Sequence, residues 1–364
     1  MNDENMNVAL ENVEENTFYE DESEQQPPSD IVAYNELRSC ADLFRMYEKG
    51  MLDITPEFQR ESVWKSAGQT RFIDSLIKQL PIPSMCFSLD YKTQKWQVID
   101  GLQRMSAIIR FMTDKDWRLS NLDDIDKRLS GVKVSRLRDP ESSEHILYQR
   151  LENLTLPITV LRCDHAKKSH MEYLFTIFHR LNTGGMRLNN QEIRNCIYSG
   201  DFNSLLKELN ENEDWLHINH IKASEDQRFK NVEVILRFFS FYDNLQEYNG
   251  VLSKFLNEYM RRNRNPSEQF LDSKKVLFNR TVQLINSSIL RDEDRIGSST
   301  LEALLVGVAT NIDYLESLDQ RRLRVMFDNL KSSASLAPAY LSEGIAKKTK
   351  VEERISTSIQ IFSE

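Results

Sequence analysis

The spacing of apolar residues changes several times along this chain, and each change predicts an element. From Asn35, the residues Leu37, Cys40, Ala41, Phe44 and Tyr47 fall on one helical face, with Gly50 as a stop. Ile54–Trp64 reads as loop or extended chain around Pro56, and Ala67–Leu80 returns to helical spacing through Phe72, Leu76 and Leu80. Pro81-Ile82-Pro83 breaks that helix. Met85–Leu89 and Trp96–Ile99 then read as two strands of a hairpin, turned at Tyr91–Gln94. Asp100-Gly101 follows directly, and Met105–Met112 continues as a helix. The charged stretch 114–150 has no clear period and reads as an irregular surface insertion. Leu156–Leu161, rich in Val, Ile and Thr, is a third strand. Helices are expected at about 167–181, 189–199 and 201–211, and beyond 224 the pattern is helical throughout. Arg261–Arg264 with Asn265-Pro266 marks a helix–helix connection. The fold class expected is α+β: a small mixed sheet, then a helical bundle.

Composition adjusts this picture at the N-terminus. Residues 1–30 hold ten acidic side chains and no Lys or Arg, ending in Pro27-Pro28-Ser29-Asp30. Such a segment cannot bury enough apolar surface to offset its ordering entropy, so a disordered, solubilising tail is expected. The tail also accounts for the net charge of −9, because without it 47 basic residues face 46 acidic ones. A near-neutral body does not announce nucleic-acid binding, although a local basic patch can still supply it. The organisation expected is a tail at 1–30, a mixed domain at 31–215 and a helical domain at 216–364.

No apolar run approaches the roughly 20 residues that span a bilayer, and the acidic start is unlike a signal peptide. A cytoplasmic protein with no membrane partner is expected. Cys40, Cys86, Cys163 and Cys196 are widely scattered, which points to reduced, mostly buried thiols rather than zinc or disulfides. P-loop, GxSxG, HExxH and Rossmann patterns are all missing. His217 and His220 stand three apart, without the acidic or Cys neighbours that a metal site needs.

Three segments carry candidate chemistry. In Val98-Ile99-Asp100-Gly101-Leu102-Gln103-Arg104, a strand ends where a helix begins, so backbone N–H groups are presented at a positive helix terminus. Glycine permits close approach of a phosphate, and Arg104 can fork two phosphate oxygens. Asp100 is suited to holding magnesium or orienting water. The same residues also read as a plain turn with Asp100 as helix cap. Pro56–Trp64 supplies Gln59 and Arg60 from an irregular stretch, where Arg60 is either a second clamp or the partner of a neighbouring Glu. In Phe178–Arg194, Asn182-Thr183-Gly184-Gly185 stops one helix, and Asn189 or Asn190 caps the next with Glu192 in its first turn. Arg180, Arg187 and Arg194 flank that turn, where an anion could sit.

Taken in order, Pro56-x-x-Gln59-Arg60-x-x-x-Trp64, the Pro-Ile-Pro, Asp100-Gly101-x-Gln103-Arg104, and Phe178-x-Arg180-Leu181-Asn182-x-Gly184-Gly185 running into Gln191-Glu192-x-Arg194-Asn195 resemble the N-terminal domain of GmrSD-type restriction endonucleases. The resemblance spans about residues 35–240. It implies a ParB/sulfiredoxin-like core, with Gly101–Arg104 matching the phosphate loop and Asn182–Glu192 a second phosphate motif. It further implies that Asp100, Gln103 and Arg104 act catalytically, that Asp100 holds Mg2+, and that Gln59, Arg60, Gly101, Asn182, Gly184 and Gly185 bind the nucleotide. The cofactors implied are a nucleoside triphosphate (GTP, ATP or CTP) and Mg2+. The function implied is nucleotide turnover tied to defence against phage or foreign, modified DNA.

The family's usual loop reads DGQQR, and here its third position is Leu102. Residues 240–364 contain no histidine, so an HNH nuclease site is not available, and Lys274-Lys275 near Asp272 is too little for a PD-(D/E)xK nuclease. A stand-alone member is expected, with DNA and a separate nuclease or other defence protein as partners. Apolar faces on the C-terminal helices also leave room for a homo-oligomer. The competing expectation is a non-catalytic, nucleotide-sensing regulator of such a nuclease.

Overall fold

The computed structural model describes residues 28–54, 64–181, 189–218, 230–291, 294, 296–341 and 344–364. The chain divides into two compact units, one being Pro27–Leu188 and the other containing Asn189–Glu364.

The first unit is the α+β part. It opens with strand β1 (Val32–Ser39) and helix α1 (Cys40–Glu48), then the short strand β2 (Leu52–Asp53) and helix α2 (Ser66–Ile77). Strands β3 (Met85–Asp90) and β4 (Trp96–Asp100) form the expected hairpin, and helix α3 (Leu102–Thr113) follows one residue later. Helices α4 (Val134–Arg138) and α5 (His145–Asn153) precede strand β5 (Thr155–Cys163) and helix α6 (Lys168–Leu181). The sheet order is β1-β5-β3-β4-β2. It is mixed: β1–β5 and β3–β4 are antiparallel, whereas β3–β5 and β2–β4 are parallel. Every residue of β3 is buried, as a central strand covered on both faces requires. Helices α1, α2, α3 and α5 pack on one another, and α6 packs on β4.

Two sequence expectations change here. Asn35–Ser39 is strand, not helix: Leu37 is 68% exposed on the edge strand β1. Ser39 caps α1 by accepting from the Asp42 N–H at 3.1 Å, and the buried face of that helix is Cys40, Leu43 and Met46. The stretch 114–150 is not merely a surface insertion. It contains α4 and most of α5 and buries Trp117, Leu119, Leu129, Val134, Leu137 and Leu147, so its apolar residues join the core one at a time.

The second unit is helical, with no strand among its described residues. Helices α7 (Asn190–Ile197), α8 (Asp201–Asn210) and α9 (Glu213–Ile218) lie within it, although the sequence expectation drew the boundary at 215/216. Helices α10 (Lys230–Asn244), α11 (Leu252–Arg262) and α12 (Glu268–Leu284) follow, and α12 ends in a π-helical turn over Ile285–Ile289. Helix α13 (Ser298–Thr310) is the central element, buried almost all round, as its apolar run predicts. Helices α14 (Ile312–Leu315), α15 (Gln320–Lys331), α16 (Pro338–Leu341) and α17 (Lys348–Ile361) complete the unit. Gly307 lets α13 and α17 approach closely, since a Cβ there would lie 2.2 Å from Ser358 Oγ. The same two helices share a buried ion pair, Arg354–Glu302 at 2.6 Å.

All four cysteines are buried. No helix among the described residues is long and apolar enough to cross a membrane. Of the acidic leader, only residues 28–30 are described. Asp30 is held there by His170 at 2.7 Å and by Lys167, and both keep its carboxyl well below the usual range, at about 2.

Candidate functional site

The geometry at the end of β4 is set by a bulge. Cys86 pairs with Asp100 but Phe87 pairs with Val98, so β4 carries one extra residue, Ile99, immediately before Asp100. Bulges of this kind bend a strand and re-aim the side chain that follows. The chain then turns through Gly101 at φ +101°, a left-handed conformation that a side chain strongly disfavours. Space forbids a side chain as well, because a Cβ at Gly101 would lie 2.6 Å from Met85 Cγ.

Gly101 is the N-cap of α3, and no side chain caps that helix. Asp100 is therefore not the cap that one reading of the sequence made it. The N–H groups of the first turn, which have no partner inside a helix, stay available to an anion. The Asp100 side chain instead pairs with Arg104, whose Nη2 lies 2.5 Å from Asp100 Oδ2. Arg104 Nη1 donates to the Pro83 carbonyl, also at 2.5 Å. The Pro-Ile-Pro segment thus does more than end α2. Its last carbonyl holds the guanidinium, a role that a pattern of helix breakers does not reveal. Arg104 is 14% exposed and Asp100 42%, so the pair lies at the surface with its carboxylate end accessible.

Gln103 is half-buried beside them, and its Oε1 accepts from the Trp64 backbone N–H at 3.2 Å. The Trp64 ring in turn meets Phe72 edge-on, with centroids 5.4 Å apart. Leu102, where the usual family loop has Gln, is buried at 8% exposure and faces the core instead of solvent. Cys86, opposite Asp100, is no nucleophile: burial first, and the Asp100 charge second, push its thiol up to about 12.

Asp100, Gly101, Gln103 and Arg104 are thus brought together at one strand-to-helix junction. Gln59, Arg60, Asn182, Gly184 and Gly185 lie outside the described residues, as do Arg187 and His220. Ile54 follows β2, which runs parallel to β4 towards its Asp100 end, and Trp64 is bound to Gln103.

The end of the third motif has a different role. Asn189 and Glu192 form a reciprocal capping box on α7, with bonds of 2.8 and 2.7 Å, as expected. Arg194 cannot flank an anion-binding turn. It is fully buried within the helical unit, bonded to Glu233 at 3.0 Å and Asn257 at 2.9 Å. Glu233 also pairs with Arg237, and the two guanidinium charges hold its carboxyl below the usual range despite burial. His217 bonds to Asn286 at 2.6 Å.

The described residues contain no group of three or more His, Cys, Asp or Glu that could hold a metal. Asp100 is then a single carboxylate, which suits Mg2+ only where phosphates complete its coordination.

Residues 40–199 match the GmrSD restriction endonuclease N-terminal domain family. The match begins at the first residue of α1 and ends just beyond α7, so it takes in the β4–α3 junction and all three sequence motifs. No curated protein and no solved structure matches the chain. Within the matched segment, the Asp100–Arg104 loop supplies a glycine turn, an open helix terminus and an arginine together.

Proposed function

We propose that the GmrSD N-terminal segment binds a nucleoside triphosphate at the β4–α3 junction and hydrolyses it in a defence role directed at foreign or modified DNA. The observation that carries this reading is the uncapped N-terminus of α3 behind Gly101, with Arg104 one turn away. First-turn N–H groups and a guanidinium are the donors that phosphate oxygens require, and the positive end of the helix favours the charge. The core that this implies is of the ParB/sulfiredoxin type, with Gly101–Arg104 as its phosphate loop.

Binding at this loop exchanges partners. Arg104 leaves Asp100 for phosphate oxygens while retaining the Pro83 carbonyl, which keeps the side chain aimed. Asp100, freed of its partner, would hold Mg2+ beside the phosphates. Bound there, the ion would neutralise charge developing on the phosphoryl oxygens. Gln59, Arg60, Asn182, Gly184 and Gly185 would complete the nucleotide site, and DNA and a separate nuclease are the partners that this function needs.

The test is phosphate release from ATP, GTP, CTP and UTP with magnesium, wild type beside Arg104→Ala. Loss of a bidentate arginine–phosphate contact should lower turnover by at least ~100-fold with the fold intact. Retained turnover in the variant would sink the assignment. A second reading, nucleotide sensing without turnover, is favoured by one observation: the Asp100–Arg104 pair satisfies both side chains before any ligand arrives. Binding without phosphate release would select it.

A further inference from the structure

Strand β1 is one edge of the sheet, and no strand among the described residues lies beyond it. Its hydrogen bonding tells which backbone groups face outwards. The Cys40 N–H donates to the Leu154 carbonyl at 3.0 Å, in the register that pairs Ser39 with Thr155. Inward and outward residues alternate in an antiparallel pair, so Arg38, Glu36, Tyr34 and Val32 also turn their N–H and C=O towards β5. Ala33, Asn35, Leu37 and Ser39 turn theirs away. Pro157 agrees with this assignment, since it lies opposite Leu37 and has no N–H to give. Natural sheets blunt such an edge with Pro, Lys, a bulge or a very short strand. The far edge does so, because β2 is only two residues long. By contrast, β1 runs for eight residues in unbroken register, without Pro or Lys, and exposes Val32, Tyr34 and Leu37.

The charges on β1 select what this edge accepts. Two copies of the strand can meet antiparallel about a two-fold axis where outward residues face outward residues. An axis at Glu36 would set two carboxylates face to face, and one at Tyr34 or Asn35 would set Glu36 against Val32 or Tyr34. An axis at Leu37 sets Glu36 of each copy opposite Arg38 of the other, and lays Leu37, the most exposed apolar residue of the strand, beside its twin. Glu36 and Arg38 share one face of β1 and already meet within the chain at 2.7 Å. Across that axis they would occupy non-hydrogen-bonded positions, where opposing side chains come closest.

We infer that β1 is a self-association surface, at which a second copy of this chain pairs antiparallel about Leu37. The main-chain bonds are a reciprocal pair at Leu37 and one from each Ser39 N–H to the Asn35 carbonyl of the other copy. The Ser39 carbonyl takes no part, because the carbonyl of an N-cap accepts the first bond of its own helix. So short an interface lies below the roughly 1,600 Å² of a standard complex, and the dimer dissociates in the micromolar range. The pairing does not depend on the nucleotide reading. It uses a strand that precedes the matched residues 40–199, and it places self-association on the sheet instead of the C-terminal helices.

Sedimentation equilibrium of the full chain tests it. The wild type should pass from monomer to dimer across about 1–100 µM. Glu36→Arg and Arg38→Glu each set like charges opposite one another in a homodimer, and each should weaken association at least ~10-fold. An equimolar mixture of the two restores opposite charges at both crossings and should associate within about threefold of wild type. Leu37→Pro removes an outward N–H and none that bonds to β5, so it should abolish the dimer while thermal melts show the fold retained. A wild type that stays monomeric throughout overturns the inference. So does a dimer that all three variants leave unchanged, and so does a mixture that associates no better than its components.

Discussion

At the level of single residues, Gly101 is the most constrained position of the candidate site. Two independent costs fall on any side chain there: a backbone at φ +101° and a collision with Met85. Gly101→Ala is expected to destabilise the protein by about 2–4 kcal/mol, combining the left-handed penalty with overpacking. Trimming the collision partner tests the division between these terms. Met85→Ala placed on Gly101→Ala should recover the steric part and leave the conformational part, as read by denaturant melts of the single and double variants. Full recovery would mean that the backbone turn costs nothing, contrary to this account. The chemistry of Asp100, Gly101 and Arg104 was legible in the sequence because one short motif names them in succession. The hydrogen bonds of Arg104 to Pro83 and of Gln103 to Trp64 were not, since they join residues 21 and 39 positions apart.

Among elements, legibility followed length and punctuation. The β3–β4 hairpin and α3 are bounded by Pro, Gly and a polar turn, and the sequence placed them to within a few residues. The β1–α1 boundary has neither Gly nor Pro. Leu37, Cys40, Ala41 and Phe44 therefore gave a false helical period across it, and Ser39, the cap, was the signal that was overlooked. The two-residue β2 is too short to have a period at all, and the bulge at Ile99 leaves no mark in composition. In the helical unit, α13 and α17 are joined by an ion pair whose side chains are each only 3% exposed. Removing one partner strands a buried charge, so Glu302→Gln or Arg354→Met should each cost about 3–5 kcal/mol. The double variant Glu302→Leu/Arg354→Met should recover much of that loss. Thermal melts of the three proteins decide it, and a double variant no better than the singles would argue against a simple charge pair.

For the molecule as a whole, the family match and the compact units do not end together. The matched segment runs to residue 199, past the Leu188/Asn189 division, and its final motif is built into the helical unit through Arg194, Glu233 and Asn257. A linear signature does not disclose that its closing residues Gln191–Asn195 are core packing while its middle motif is an exposed junction. Two units with separate cores are expected to unfold in two calorimetric transitions. A nucleotide bound at the β4–α3 junction should raise only the one belonging to Pro27–Leu188, by about 2.7 kcal/mol at a hundredfold excess over Kd. A shift confined to the helical transition would move the binding site elsewhere.

The burial of all four native thiols has a practical side. Cys40, Cys86 and Cys163 are pushed up to about 12 by burial, so at neutral pH almost none of them is thiolate, the form that alkylating reagents attack. The folded protein should therefore take up little maleimide dye until it is denatured. A cysteine added at an exposed position such as Lys65 or Arg45 would become a single address for a fluorophore or spin label. Distance changes on ligand addition could then be followed without first stripping the chain of its own cysteines.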